Sequence, residues 1–96
     1  MYATITLFTT GPGMREPMEK LGGQMFNVLS GLKGFKKLML IVDQEVDEYG
    51  GITLWESKED AESGIETTGP KLQQALIDIA KGPPTRRIYE VIEPKT

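Results

Sequence analysis

Apolar and polar positions alternate along residues 2–9, YATITLFT. Ala3, Ile5 and Leu7 fall on one side, and Tyr2, Thr4, Thr6 and Phe8 on the other. A period of two in β-branched and aromatic residues predicts a strand. The Gly and Pro of TTGPG stop it. From Met14 the period lengthens. Met14, Met18, Leu21, Met25, Val28 and Leu32 recur at steps of three and four, one apolar stripe on a helix. Pro17 is tolerated only in a first turn, so the helix starts near Arg15 or Glu16. Gly22 and Gly23 fall in its middle, at a cost of about 1 kcal/mol each relative to Ala. They mark either a close packing contact or a weak helix.

Residues 34–44, GFKKLMLIVDQ, predict the longest strand. Leu38, Leu40 and Val42 share one face; Phe35, Lys37, Met39 and Ile41 share the other. EVDEYGG reads as a hairpin loop, with Gly50 and Gly51 supplying its unusual dihedrals. ITLWE is the third strand. Ser57 fits a helix N-cap, with Asp60 three residues on, and Glu56, Glu59 and Asp60 complement the helix dipole. This helix is expected to end or kink at residues 67–70, TTGP. A second helix carries Leu72, Ala75, Leu76 and Ile79, with Gly82 at its C-cap. Residues 85–93, TRRIYEVIE, form the last strand.

The order βαββαβ over residues 1–96 predicts one ferredoxin-like α+β domain, a four-stranded antiparallel sheet with helices on one face. The other face is expected to carry Thr4, Thr6, Phe8, Phe35, Met39, Ile41, and Tyr89 or Ile88. That set is too apolar for water. Two copies joined sheet to sheet would cover it, so a homodimer is expected.

Composition removes several kinds of chemistry. The chain has no Cys and no His. Disulfides, thiolate metal sites, imidazole catalysis and histidine ligation of haem or zinc are therefore outside its reach. A net charge of −3 lacks the basic footprint of a nucleic-acid or anionic-membrane binder. An RNA-binding domain shares the βαββαβ order, and GFKK superficially begins like one of its motifs, but no second exposed aromatic pair follows. The longest apolar run, residues 38–42, is too short to span a bilayer. MYATITLFTT has no basic segment before its apolar part and does not read as a signal peptide. A cytoplasmic protein with no membrane or nucleic-acid partner is expected.

A strand ending in Trp, then a polar residue, Ser and an acidic helix start, as in LWESKEDAESG, is a recurring signature of antibiotic biosynthesis monooxygenase-like proteins. The chain resembles that dimeric α+β barrel family over nearly its whole length. The GPG-started first helix and the strand GFKKLMLIVDQ after it add to the likeness. The resemblance implies binding of a small apolar or aromatic molecule. In the phenol-oxidising members it also implies oxidation by dioxygen without metal, haem or flavin, where the substrate's own carbanion meets oxygen. Haem-degrading members use an Asn, a Trp and a His; Thr6, Ile65 and a residue near Ala75 stand at those places here. None matches, so haem degradation is not expected, and neither is any cofactor or metal. The alternative is a non-catalytic dimeric module that binds a ligand or another protein.

Four residues make the candidate binding set: Trp55, Tyr89, Arg87 and Thr6. Trp55, the only indole, either stacks on a ligand or packs in the core with its N–H on a nearby acceptor; packing is the more ordinary role. Arg86 and Arg87 point to opposite faces of a strand. The one on the covered face either forms a salt bridge, with Glu90 or Glu56, or binds an anion. Tyr89 either donates a proton to a phenolate-like ligand or packs as a strand aromatic. The acidic runs KEDAE and QEVDE lack metal-loop spacing and read as solvated surface. The five Met residues read as core filler.

Overall fold

The first strand's alternation becomes β1, Tyr2–Thr9, at the centre of a sheet whose strands run in the order β2 (Phe35–Asp43), β3 (Glu48–Trp55), β1, β4 (Thr85–Glu90), all antiparallel. The computed structural model describes residues 1–95. Two helices, α1 (Arg15–Leu29) and α2 (Lys58–Leu76), lie on one face. This is the ferredoxin-like α+β arrangement expected from the element order.

The local signals hold where they are strong. α1 begins at Arg15 and places Pro17 in its first turn. Ser57 caps α2: its hydroxyl accepts the Asp60 N–H at 3.1 Å. Gly22 marks a close contact, since a Cβ there would overlap the Leu40 side chain, whereas Gly23 has open space.

Four details differ from expectation. First, Thr4, Thr6 and Phe8 face the helices. The register sets them beside Thr53, Gly51 and Tyr49, in the layer that α1 and α2 cover. Ala3, Ile5 and Leu7 lie on the open face. Both sides of β1 are partly apolar, so alternation alone does not say which side the helices take. Second, a bulge at Lys36 moves Phe35 to the helix side together with Leu38, Leu40 and Val42, which leaves Met39 and Ile41 on the open face.

Third, Gly50 and Gly51 lie within β3. The turn before it carries its positive φ at Asp47 (52°), and the glycines serve close approach: a Cβ on Gly50 would overlap the Thr6 carbonyl oxygen of β1. Fourth, α2 is a single helix that runs through Gly69 and Pro70 and ends at Leu76, so Gly82 does not cap it. The hydroxyls of Thr67 and Thr68 donate back to the carbonyls of Ser63 and Gly64, at 3.0 and 2.7 Å, in the turn preceding the proline. Such back-bonding accompanies helix bending. Packing of its apolar side on the sheet carries the helix past the one missing donor.

A candidate ligand cavity between the sheet and the helices

The helix-facing side of the two central strands changes character along its length. At one end Tyr2 stands beside Trp55; at the other, Phe8 stands beside Tyr49. Between them come the pairs Thr4–Thr53 and Thr6–Gly51. The large side chains at each end gather a core of their own. Trp55 packs with Leu29 and Ala61, and Phe8 and Tyr49 pack with Met18, Leu21 and Leu76. These clusters hold the helices off the sheet, and the short side chains between them do not fill the gap. The result is a cavity of about 340 Å³. Its floor is Thr4, Thr6, Gly51 and Thr53. Met25 and Leu72 stand over it, and Leu38 and Leu40 close the β2 side. That volume falls at the small end of ordinary ligand pockets.

Trp55 is 1% exposed. Its ring meets Phe35 edge to face at 6.1 Å, and Phe35 meets Phe26 of α1 in the same way at 5.9 Å. On the other side the ring rests on Gly64 of α2, where a Cβ would overlap it. Here α2 comes as close to the sheet as glycine permits. The indole N–H has no acceptor among the described residues, and the buried hydroxyl of Thr4 has no partner either. A buried polar group without a partner costs roughly 1–3 kcal/mol. Both side chains line the cavity. The acceptor expected for a packed indole is not there.

Of the four candidates, the structure brings Trp55 and Thr6 into this cavity. It does not bring Arg87 and Tyr89. In register they lie beside Ile5 and Ala3 on the open face, where Tyr89 is 44% exposed. The arginine that reaches the cavity is Arg86, directly across from Thr6. It is half-buried and has no ion pair among the described residues. The period of two separates Arg86 from Arg87 in the sequence, but only the position of the helices says which of them is inside. At the rim, Arg15 and Glu19 face each other at 3.6 Å, largely exposed, and such a pair contributes little. Gly51, Thr53 and Gly64 also shape the site, and nothing in the sequence singled them out for it. Among the described residues no group of three or more acidic side chains forms that could hold a metal ion. No helix among them is long and apolar enough to cross a membrane.

No family model matches the chain, and no curated protein matches it. Solved structures do. SnoaB, a cofactor-independent oxygenase from Streptomyces nogalater, superposes with a TM-score of 0.76 at 15% identity, over 97% of this chain and 94% of SnoaB. A candidate antibiotic biosynthesis monooxygenase from Deinococcus radiodurans gives 0.79 at 11% identity, over 100% of this chain and 97% of that one. The protein NE2512 of Nitrosomonas europaea, of unknown function, gives 0.81 at 10% identity, over 99% and 92%. The chain has the fold of these proteins along its whole length, as the resemblance in LWESKEDAESG implied. At such identities the likeness speaks for the fold alone.

Proposed function

We propose that the chain binds a small, largely apolar aromatic compound in this cavity and oxidises it with dioxygen without metal, haem or flavin. The observation that carries the reading is a cavity with apolar walls into which two side chains with unpartnered polar groups, Trp55 and Thr4, are set. An aromatic ligand with one oxygen substituent matches that combination. The likeness to SnoaB supports the chemistry.

The reaction balances without help from the protein's own redox groups. An activated ring CH2 loses a proton to give an electron-rich carbanion. Its electrons reduce O2, a C–O bond forms and the O–O bond breaks. The second oxygen leaves as water, and the CH2 becomes a carbonyl. The chain supplies no imidazole, so the substrate must ionise readily by itself, and the rate should rise with pH along the substrate's own titration. Anthrone is a suitable probe. Oxygen uptake above the uncatalysed rate, one O2 per quinone formed, is the expected result. Absence of uptake overturns the catalytic reading.

One observation favours binding without turnover. Among the described residues the only carboxylate lining the cavity, Glu19, sits at the rim beside Arg15, and none of their carboxylates faces the floor. Anthrone that quenches Trp55 emission without consuming oxygen would identify a binding module.

We also propose that two copies pair through the open sheet face. Ile5, Leu7, Met39, Ile52 and Leu54 are only partly covered there, and Ile41 is 36% exposed. A specific interface needs roughly 800 Å² per partner, and this face sets these apolar side chains next to one another across neighbouring strands. Light scattering at micromolar concentration should give twice the 10.6 kDa chain mass; the single mass overturns the pairing.

A further inference from the structure

We infer that Met25 is a site of modification by the chain's own chemistry: its thioether takes an oxygen atom from the hydroperoxide formed in the cavity and becomes a sulfoxide. The inference rests on the oxidation proposed above and adds a second fate for its intermediate.

The two clusters that frame the cavity share one methionine. Met18 is buried within the Phe8–Tyr49 cluster, whereas Met25 packs against that cluster and against the Trp55 cluster as well. Its side chain therefore stands over the gap between them, half-buried, with the cavity beneath it. The other methionines lie elsewhere. Met1 is at the exposed chain end, Met14 precedes α1, and Met39 is on the open sheet face. None of these lines the cavity.

The chemistry makes this position reactive. The chain has no Cys and no His, so its thioethers are the soft two-electron nucleophiles that it can offer to a peroxide. Once the carbanion has reduced O2 and the C–O bond has formed, the cavity holds a hydroperoxide, R2CH–OOH. Its carbon still carries one hydrogen. Collapse to the carbonyl and water requires that hydrogen to leave as a proton while the O–O bond breaks. Among the described residues no carboxylate faces the floor to take it. The hydroperoxide therefore waits beneath a thioether. The Met25 sulfur attacks the distal oxygen: an S–O bond forms, the O–O bond breaks, and the proton of the transferred hydroxyl passes to the departing alkoxide. Sulfur loses two electrons and the peroxide gains them. The products are methionine sulfoxide and the alcohol R2CH–OH. Each chain is spent in this way once at Met25, so the carbonyl remains the main product.

Oxidation turns an apolar side chain into a polar one. On this wall the new S–O group faces the space that an aromatic ring would fill, so the oxidised chain should bind its ligand less well. Turnover thus carries its own shut-off, which a methionine sulfoxide reductase would reset.

The test incubates the chain with anthrone in air. Catalase is added to clear hydrogen peroxide from the bulk; it is too large to reach the cavity. Tandem mass spectrometry of a digest then reads each methionine. Met25 is expected to carry several times the sulfoxide of Met1, although Met1 is 51% exposed. Hydrogen peroxide added without anthrone or catalase should reverse that order, because bulk oxidation follows exposure. Hydroxyanthrone should appear in step with the sulfoxide. Over repeated additions of anthrone, oxygen uptake by the wild type should slow, whereas Met25→Leu, a swap of similar volume, should hold its own initial rate. A slowing that persists in Met25→Leu overturns the shut-off. Quinone formation with Met25 unmodified, or oxidised no more than Met1, overturns the inference while the catalytic reading stands. No oxygen uptake above the uncatalysed rate overturns both.

Discussion

At the Trp55 end of the helix-facing surface, sheet and helix touch: the indole is pressed between Phe35 and Gly64, with Ala61 fully buried beside it. A few residues along the same strands, over Thr4, Thr6, Gly51 and Thr53, the two layers are separated by a cavity of about 340 Å³. The backbone ladder is the same in both places, and the difference is side-chain length. Close packing at the ends supplies stability and fixes the spacing of the layers. The middle gives up contact area and leaves two side chains with unpartnered polar groups beside the space. A sequence change should therefore act on stability at the ends and on ligand binding in the middle.

The largest test of that division is Trp55→Ala. Removing a large buried aromatic costs about 3–5 kcal/mol, a large share of the roughly 5–10 kcal/mol expected of a domain this size. Circular-dichroism melts should show a fall of more than about 12 °C. A melt near the wild-type value would mean that the Trp55 end is as loose as the middle.

Gly64→Ala comes next. In an exposed helix interior this exchange stabilises by about 1 kcal/mol. Here the new methyl meets a rigid ring, and the cost should be about 1–3 kcal/mol. Gly23→Ala is its control, because nothing lies within 4 Å of a Cβ there. Denaturant midpoints should shift in opposite directions for the two variants. A shift in the same direction would remove the claim that α2 touches Trp55 as closely as glycine allows.

In the middle, Thr4→Val should behave in the reverse sense. It keeps the shape and deletes a hydroxyl with no partner in the fold, so stability should rise by about 1 kcal/mol. A lower midpoint would show that the hydroxyl is satisfied, and the polar character of the floor would need another account.

The smallest effect is expected at Glu56, just past Trp55. Lys36 donates to its carboxylate at 2.9 Å. That hydrogen bond, and then the charge of Lys36, hold the Glu56 pKa below its ordinary value. A carboxylate with a lowered folded pKa stabilises the fold above its unfolded pKa and stops doing so as pH falls through the folded one. The pair is exposed, so Lys36→Met should leave the neutral-pH melt unchanged and return Glu56 toward the ordinary range in an NMR titration. An unmoved titration would show that Lys36 is not the cause.

What could be read in the sequence was what short-range physics decides. The Met18–Leu21–Met25 part of the predicted stripe and the Ser57 cap depend on residues within a turn of one another, and both appear in the structure, although α1 ends at Leu29, before Leu32, and Leu29 rather than Val28 is buried in its last turn. The choice of sheet face could not be read. β1 has Ile5 and Leu7 on one side and Tyr2 and Phe8 on the other, so its two sides are near-equal candidates for the core. The assignments on β1 moved with it, while Met39, Ile41 and Tyr89 stayed on the open face: Thr6 came inside, and Arg86 rather than Arg87 met the cavity. Gly50 and Gly51 misled because glycine signals a turn as readily as a close approach between strands. Pro70 misled because its local penalty is outweighed by packing that only the folded chain displays.

The floor of the cavity lies on β1 and β3, the two inner strands, each held by a ladder on both sides. Exchanges among Ser, Thr, Val and Ala at Thr4, Thr6 and Thr53 leave those ladders intact and change the enclosed volume by a methyl or a hydroxyl at a time. Layer spacing is governed elsewhere, by Trp55 and by the stacked pair Phe8–Tyr49. The shape of the cavity is thereby decoupled from the survival of the fold. A designer has three positions at which to reshape the cavity before touching the frame.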